Sequence, residues 1–185
     1  MTLICGIDPG TKGGGWSLIE PSGALHAVEC VETHPGDKVG DNQRRLGLWL
    51  RAITKPMRLA SVIVIEFPSM GVGQQQGMNP DRARWSAKAM AQTVAAAAAA
   101  MGAAFALGGS RKILTPAPRT WRCRLGGEES SEEQIHAALT LRYPLIAAMR
   151  RGARPHCFDA TGCALYGRLV LRLDHTDRNQ ETATP

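Results

Sequence analysis

The feature that most restricts how this chain can fold is the segment Ser61 to Ile65, whose unbroken apolar run Val62-Ile63-Val64-Ile65 closes on an acid, Glu66. A strand with one wet face alternates apolar and polar side chains, whereas continuous β-branched residues describe a strand buried on both faces. Glu66 is then hard to read as part of a solvated face. A carboxylate beside a core is costly unless it is paired or bound to a cation, so the end of this strand is the first place to look for chemistry.

The rest of the chain organises around that strand. Residues 2–7 are apolar and end at Asp8, Pro9 to Gly15 make a flexible turn, and Trp16 to Ile19 is a second apolar run. After the turn Pro21-Ser22-Gly23, Ala24 to Val31 reads as a third strand, which completes an antiparallel meander. Leu46, Leu48, Trp49, Leu50 and Ile53 have helical spacing and predict a helix from Asp41, its N-cap, to about Thr54. The Gly- and Gln-rich stretch 71–79 reads as a mobile loop before a long helix from Pro80 to about Met101. Its alanine run, Ala95 to Ala100, suits close packing against another helix, within the fold or across a dimer.

Short strands at Ala103–Leu107 and Lys112–Leu114 are expected next, then helices near Pro118–Leu125, Ser130–Leu141 and Pro155–Leu173. From Asp174 to Pro185 the chain is polar and aperiodic, which predicts a flexible tail. There is no internal repeat and no long linker, so residues 1–173 are expected to form one domain.

With 44% hydrophobic residues in 185, a sizeable core is available, and no run of about 18 apolar residues exists. A soluble, cytoplasmic protein is expected, with no membrane partner. Its five cysteines, none in a C-x-x-C pair, read as reduced thiols rather than a zinc or redox site. The net charge of +6 favours a polyanionic partner. Between Arg111 and Arg154 nine basic residues face four acids, and the acids are confined to Glu128–Glu133.

Two further acids stand out beside Glu66. Asp8 closes the first strand, where a turn aspartate is the ordinary alternative. Asp159 lies near the start of the last helix, where the helix dipole alone favours an acid. His156 and Asp159 at i and i+3 project from one helix face. Together the four residues supply ligands for two hard divalent ions about 4 Å apart, an arrangement that activates water and stabilises the leaving oxygen of a phosphodiester.

In this order and at these intervals, Gly6-Ile7-Asp8-Pro9-Gly10, Ile65-Glu66 and His156-x-x-Asp159-Ala160 resemble the RuvC family of Holliday junction resolvases, over roughly residues 3 to 170. The resemblance implies an α/β, ribonuclease H-like fold, a five-stranded mixed sheet flanked by helices on both faces. It implies a homodimer that sets two active sites on a four-way DNA junction and nicks it symmetrically, in recombination and repair. It also implies two Mg²⁺ or Mn²⁺ ions per site, held by Asp8, Glu66 and Asp159, with His156 where the family has Asp or His. The implied reaction is in-line attack by water, leaving 5′-phosphate and 3′-hydroxyl ends, with Asp8 between the ions.

Lys12, Arg82, Arg84, Lys88, Arg119, Arg122 and Arg124 are candidates for phosphate contacts. The segment Phe67-Pro68-Ser69-Met70 lacks the spaced aromatic that the family sets against junction bases, which leaves that role to Phe67, to Met70 or to no residue. Pro118-x-x-Trp121-Arg122 is similar to the family's stretch of basic residues near the scissile phosphate, with Trp121 itself read as core.

Three other readings compete. Asp8-Pro9-Gly10-Thr11-Lys12-Gly13-Gly14 also resembles the phosphate-binding turn of actin-like ATPases and sugar kinases, but those close two such domains on a nucleotide, and no second Asp-Gly-Thr turn is present. A nuclease with a broader taste for forks and flaps fits the same residues. A junction-binding protein without catalysis would need basic residues rather than clustered acids.

Overall fold

The computed structural model describes residues 2–10, 13–32, 42–68 and 80–181. Strands β1 (Leu3–Asp8), β2 (Gly13–Ile19) and β3 (Leu25–Glu32) form the antiparallel meander. The chain continues through α1 (Asn42–Leu59), β4 (Ala60–Ile65), α2 (Pro80–Ala106), β5 (Lys112–Leu114), α3 (Pro118–Gly126), α4 (Glu132–Arg142), the single turn α5 (Pro144–Ala147) and α6 (Arg154–Glu181). The strands lie in the order β3-β2-β1-β4-β5, with β4 parallel to β1 and to β5. This is the expected five-stranded mixed sheet.

Both faces of the sheet are covered, as the composition of β4 requires. Leu3, Cys5 and Ile7 of β1 and Ile63 and Ile65 of β4 face one side, where Trp49, Ile53 and Met57 of α1 and Ala96, Ala97, Ala100 and Ala104 of α2 complete a core. Ile4, Val62 and Val64 face the other side, against Trp121 of α3, Ile135 and Leu139 of α4, Ile146 of α5, and Cys157, Cys163 and Ala164 of α6. From Val62 to Ile65, the side chains of β4 are therefore buried whichever way they point.

Several elements differ from their sequence reading. The spacing predicts that α1 ends near Thr54, yet it runs through Pro56 to Leu59. An interior proline costs a helix about 3 kcal/mol. Trp49, Ile53 and Met57 form a fully buried stripe at four-residue spacing, each contributing about 1.5–3 kcal/mol, and Met57 joins it only if the helix continues. The strand expected at Ala103–Leu107 is corrected to the end of α2 and the turn after it. Ala104 extends the buried stripe of Ala97 and Ala100, alanine favours helix, and the segment has no β-branched residue to favour a strand. Gly108, at φ +62°, then ends the helix, its N–H donating to the Phe105 carbonyl at 3.0 Å.

Helix α4 starts in a capping box between Ser131 and Gln134. Helix α5 was not anticipated. Helix α6 continues to Glu181 through the polar stretch from Asp174 for which a flexible tail is expected; once a helix is nucleated, each added residue gains a hydrogen bond. Asp41, the expected cap of α1, and the loop 71–79 lie outside the described residues. No helix among the described residues is long and apolar enough to cross a membrane.

Candidate active site

The two-residue period of the strands sets the direction of the first two acids. Ile4 and Gly6 face α6 and so does Asp8, while Val62 and Val64 bring Glu66 to the same side. The strands are parallel with Ile7 opposite Ile65, and the Glu66 N–H donates to the Ile7 carbonyl at 2.9 Å. Asp8 and Glu66 therefore stand as neighbours at the C-terminal ends of two adjacent inner strands.

Helix α6 crosses the face of the sheet at very short range. A Cβ on Gly6 would collide with the Ala160 carbonyl oxygen, and one on Gly15 with that of His156. The two glycines let helix backbone lie directly on strand backbone, which carries His156 and Asp159 to the strand ends. The Nδ1–H of His156 donates to Asp8 Oδ2 at 2.6 Å when the carboxylate is ionised. His156 is thus bonded to Asp8, and Asp159 and Glu66 lie close enough for charge to act between them and Asp8.

Helices α3 and α4 complete the site with residues that the sequence did not single out for this purpose. Trp121 Nε1 donates to Glu66 Oε2 at 2.7 Å. Asp159 Oδ1 lies 3.4 Å from Arg122 Nη2 and 3.2 Å from His136 Nε2. Arg122 reaches on to Glu132 through Nη1 at 2.8 Å and lies over the Trp121 ring, 5.2 Å from its centroid. The ring of His136 rests against Phe158 at 4.9 Å. One ligand atom each from Glu132, His136 and Asp159 fall within 4.8 Å of one another. The signal for Glu132 and His136 was only their i, i+4 spacing, which ordinary helix pairs share.

Crowding three carboxylates in a half-dry site leaves an electrostatic signature. Burial, above all, pushes Glu66 up to about 8, with the charges of Asp8 and Asp159 adding to it and the Trp121 hydrogen bond opposing it. Burial likewise lifts Asp8 to about 6, opposed by the bond from His156. Both groups hold protons more tightly in the folded chain than in the unfolded one. Their contribution to stability is therefore undiminished below the ordinary carboxylate range and is lost as pH rises towards 6 for Asp8 and 8 for Glu66. At about 1.4 kcal/mol per pKa unit, and allowing for partial solvation, Glu66 costs the metal-free protein roughly 3 kcal/mol at pH 8. Melting in EDTA is expected to fall by about 6–12 °C between pH 5 and pH 8 from this cause. Glu66→Gln should flatten that slope and melt above wild type at pH 8; a slope unchanged by the substitution would count against the crowding.

The donor set matches a hard divalent cation. Three carboxylates with a single arginine, Arg122, beside them offer oxygen ligands, the preference of Mg²⁺, and the imidazoles add nitrogen that Mn²⁺ accepts.

The basic residues distribute unevenly. Arg122 stands inside the site, engaged with Asp159 and Glu132, while Arg119 and Arg124 are exposed on the same helix. Phe67 is half-buried against the core on the α1 and α2 side, its N–H donating to the Pro116 carbonyl at 2.9 Å. Lys12, Met70 and the side chains of Arg82, Arg84 and Lys88 lie outside the described residues.

No family model matches the sequence, and no curated protein matches it. Solved structures do. RuvC of Thermus thermophilus is 19% identical with a TM-score of 0.64, the match covering 94% of this chain and 97% of that one. T. thermophilus RuvC in complex with a Holliday junction substrate gives 18% and 0.66 over the same shares. At such identity the likeness is one of fold, and the chain accordingly has the ribonuclease H-like fold of RuvC, a five-stranded mixed sheet flanked by helices.

Proposed function

We propose that this chain is a divalent-metal-dependent endonuclease of branched DNA, with the four-way junction as its substrate. The observation that carries the reading is the convergence of Asp8, Glu66 and Asp159 from three elements far apart in the sequence. A protein that merely gripped DNA would gain nothing by aiming three carboxylates at a polyanion; with cations between them the same carboxylates become an asset. The junction is favoured because a protein of the same fold has been solved with a Holliday junction substrate.

In this reading residues 1–173 act as one nuclease domain. Asp8, Glu66 and Asp159, completed by His156, would hold two ions, Mg²⁺ or Mn²⁺. Such ions, when bound, activate water for in-line attack and neutralise charge on the phosphate and its leaving oxygen. The protein orients the carboxylates: His156 holds Asp8, Trp121 holds Glu66, and Arg122 with His136 holds Asp159. Arg119 and Arg124, together with Lys12, Arg82, Arg84 and Lys88, contact phosphates and fix the register of the DNA without reading its sequence. A homodimer presents two such sites, so the nicks come in symmetric pairs.

The deciding experiment compares a labelled synthetic four-way junction with linear duplex, fork and flap of matching sequence, in Mg²⁺, Mn²⁺ or EDTA. Paired nicks on the junction alone, lost in EDTA, are expected. Equal cutting of forks and flaps would reduce the reading to a general branched-DNA nuclease, and the absence of metal-dependent cutting of any DNA would overturn it.

A further inference from the structure

We infer that Trp121 is a positioning residue of this site, a buried indole whose N–H fixes the Glu66 carboxylate for cation binding, with Gly162 of α6 left empty to receive its ring. The inference rests on the metal-dependent reading above and adds to it a residue that touches neither substrate nor ion.

Three observations converge on it. Trp121 is 0% exposed, and its Nε1 donates to Glu66 Oε2 at 2.7 Å. Satisfaction of the indole N–H is not automatic in this protein, since Trp16 and Trp49 keep buried Nε1 atoms with no hydrogen-bond partner among the described residues. The bond to Glu66 is a directed one. Next, a Cβ on Gly162 would collide with the six-membered part of the Trp121 ring. Gly162 lies three residues after Asp159, so the indole is clamped between the carboxylate from β4 and the helix that carries Asp159. Finally, the residue beside it, Arg122, reaches Asp159 at 3.4 Å. Two consecutive side chains of α3 thus hold carboxylates from two different elements.

The chemistry explains why a tryptophan suits the place. A single neutral N–H occupies one lone pair of a carboxylate, and the remaining lone pairs stay available to a cation. A lysine or arginine there would orient Glu66 equally well but would compete with the cation by its charge. A large rigid ring wedged against a helix also has few rotamers to lose. Outer partners of metal ligands are worth about 10–100-fold in metal affinity.

The test uses the full chain, Mn²⁺ alone and no DNA, with binding followed by paramagnetic resonance or calorimetry. Trp121→Phe keeps an aromatic ring and removes the N–H. It is expected to stay folded and to bind Mn²⁺ at least about tenfold more weakly. Gly162→Ala, which retains the N–H but displaces the ring, should weaken binding similarly, and should add little in the Trp121→Phe background, where the smaller ring leaves room. A ring that served packing alone would change melting temperature in these variants without changing Mn²⁺ affinity. In wild type, the indole ¹H–¹⁵N signal that disappears in Trp121→Phe should move on adding Mg²⁺ and in Glu66→Gln.

Wild type that binds Mn²⁺ with Trp121→Phe binding it equally well overturns this inference and leaves the metal site standing. Failure of wild type to bind Mn²⁺ overturns both. Should Trp121→Phe not fold, an indole signal indifferent to Mg²⁺ and to Glu66→Gln overturns the inference by itself.

Discussion

Asp8→Asn is expected to lower the rate of four-way junction cleavage by about 100- to 1,000-fold, the scale reached when a group that stabilises transition-state charge is removed, while junction affinity stays level or rises. Asp8 is nearly buried, feels the charge of Asp159, raises the pKa of Glu66, and takes a 2.6 Å hydrogen bond from His156. Asparagine has the same shape and keeps an oxygen to accept from Nδ1–H of His156, so the fold should survive. It removes one negative charge from a site facing phosphate. The repulsion relieved is about 1 kcal/mol for charges 4 Å apart in water and larger in partly dry surroundings, hence equal or tighter binding. Single-turnover cleavage in Mg²⁺ and gel retardation in EDTA separate the two effects. Loss of cleavage together with loss of binding would move Asp8 from the chemistry to folding or DNA grip.

The second large effect is steric. Gly6→Ala adds a single methyl group, but at Gly6 it would meet the Ala160 carbonyl oxygen and the Ala164 backbone nitrogen. Backbone atoms cannot rotate aside as a flexible side chain can, so α6 must lift from β1. Overpacking of this kind costs about 3 kcal/mol, a fall of about 6–12 °C in melting temperature for a chain of this size. Asp159 precedes Ala160 and moves with it. A displacement of about 1 Å at a reacting centre costs about 100-fold in rate, so cleavage should collapse even well below the lowered melting point. Gly47→Ala is the control. It lies in α1, where an added Cβ meets nothing within 4 Å, and alanine there should stabilise the helix by about 0.5–1 kcal/mol. A Gly6→Ala protein that melts and cuts like wild type would mean that α6 does not lie on β1 as described.

The ease with which the site could be read from the sequence differs residue by residue, for physical reasons. Glu66 announced itself because a carboxylate closing Val62-Ile63-Val64-Ile65 has no cheap bland explanation. Asp8 followed from the same logic at the end of the first apolar run. His156 and Asp159 were paired by helical spacing alone. Trp121, Glu132 and His136 carried no such signal as site residues. A buried tryptophan in a short helix and a Glu and His four residues apart are what any amphipathic helix shows, and their roles arise only where α3 and α4 pack against α6. Arg122 was named for phosphate contact, and the structure adds its ties to Asp159 and Glu132. Local rules also yielded to packing in the fold itself. Pro56 did not stop α1, because Met57 had a buried place to fill, and Ala103–Leu107 continued a helix whose alanine stripe was already seated.

By itself the sequence determined the periodicities: which strands alternate, which strand is buried on both faces, where the strand-closing acids stand, and which helix residues share a face. These follow from the geometry of one segment, two residues per repeat in a strand and 3.6 in a helix. Only the tertiary structure decided the distances. Whether Asp159 reaches Asp8 depends on α6 touching β1 through Gly6 and β2 through Gly15, and the orientation of Glu66 depends on the ring of Trp121 fitting the space at Gly162. Those are close approaches between segments remote in sequence, set by the excluded volume of particular atoms, and no local pattern encodes them.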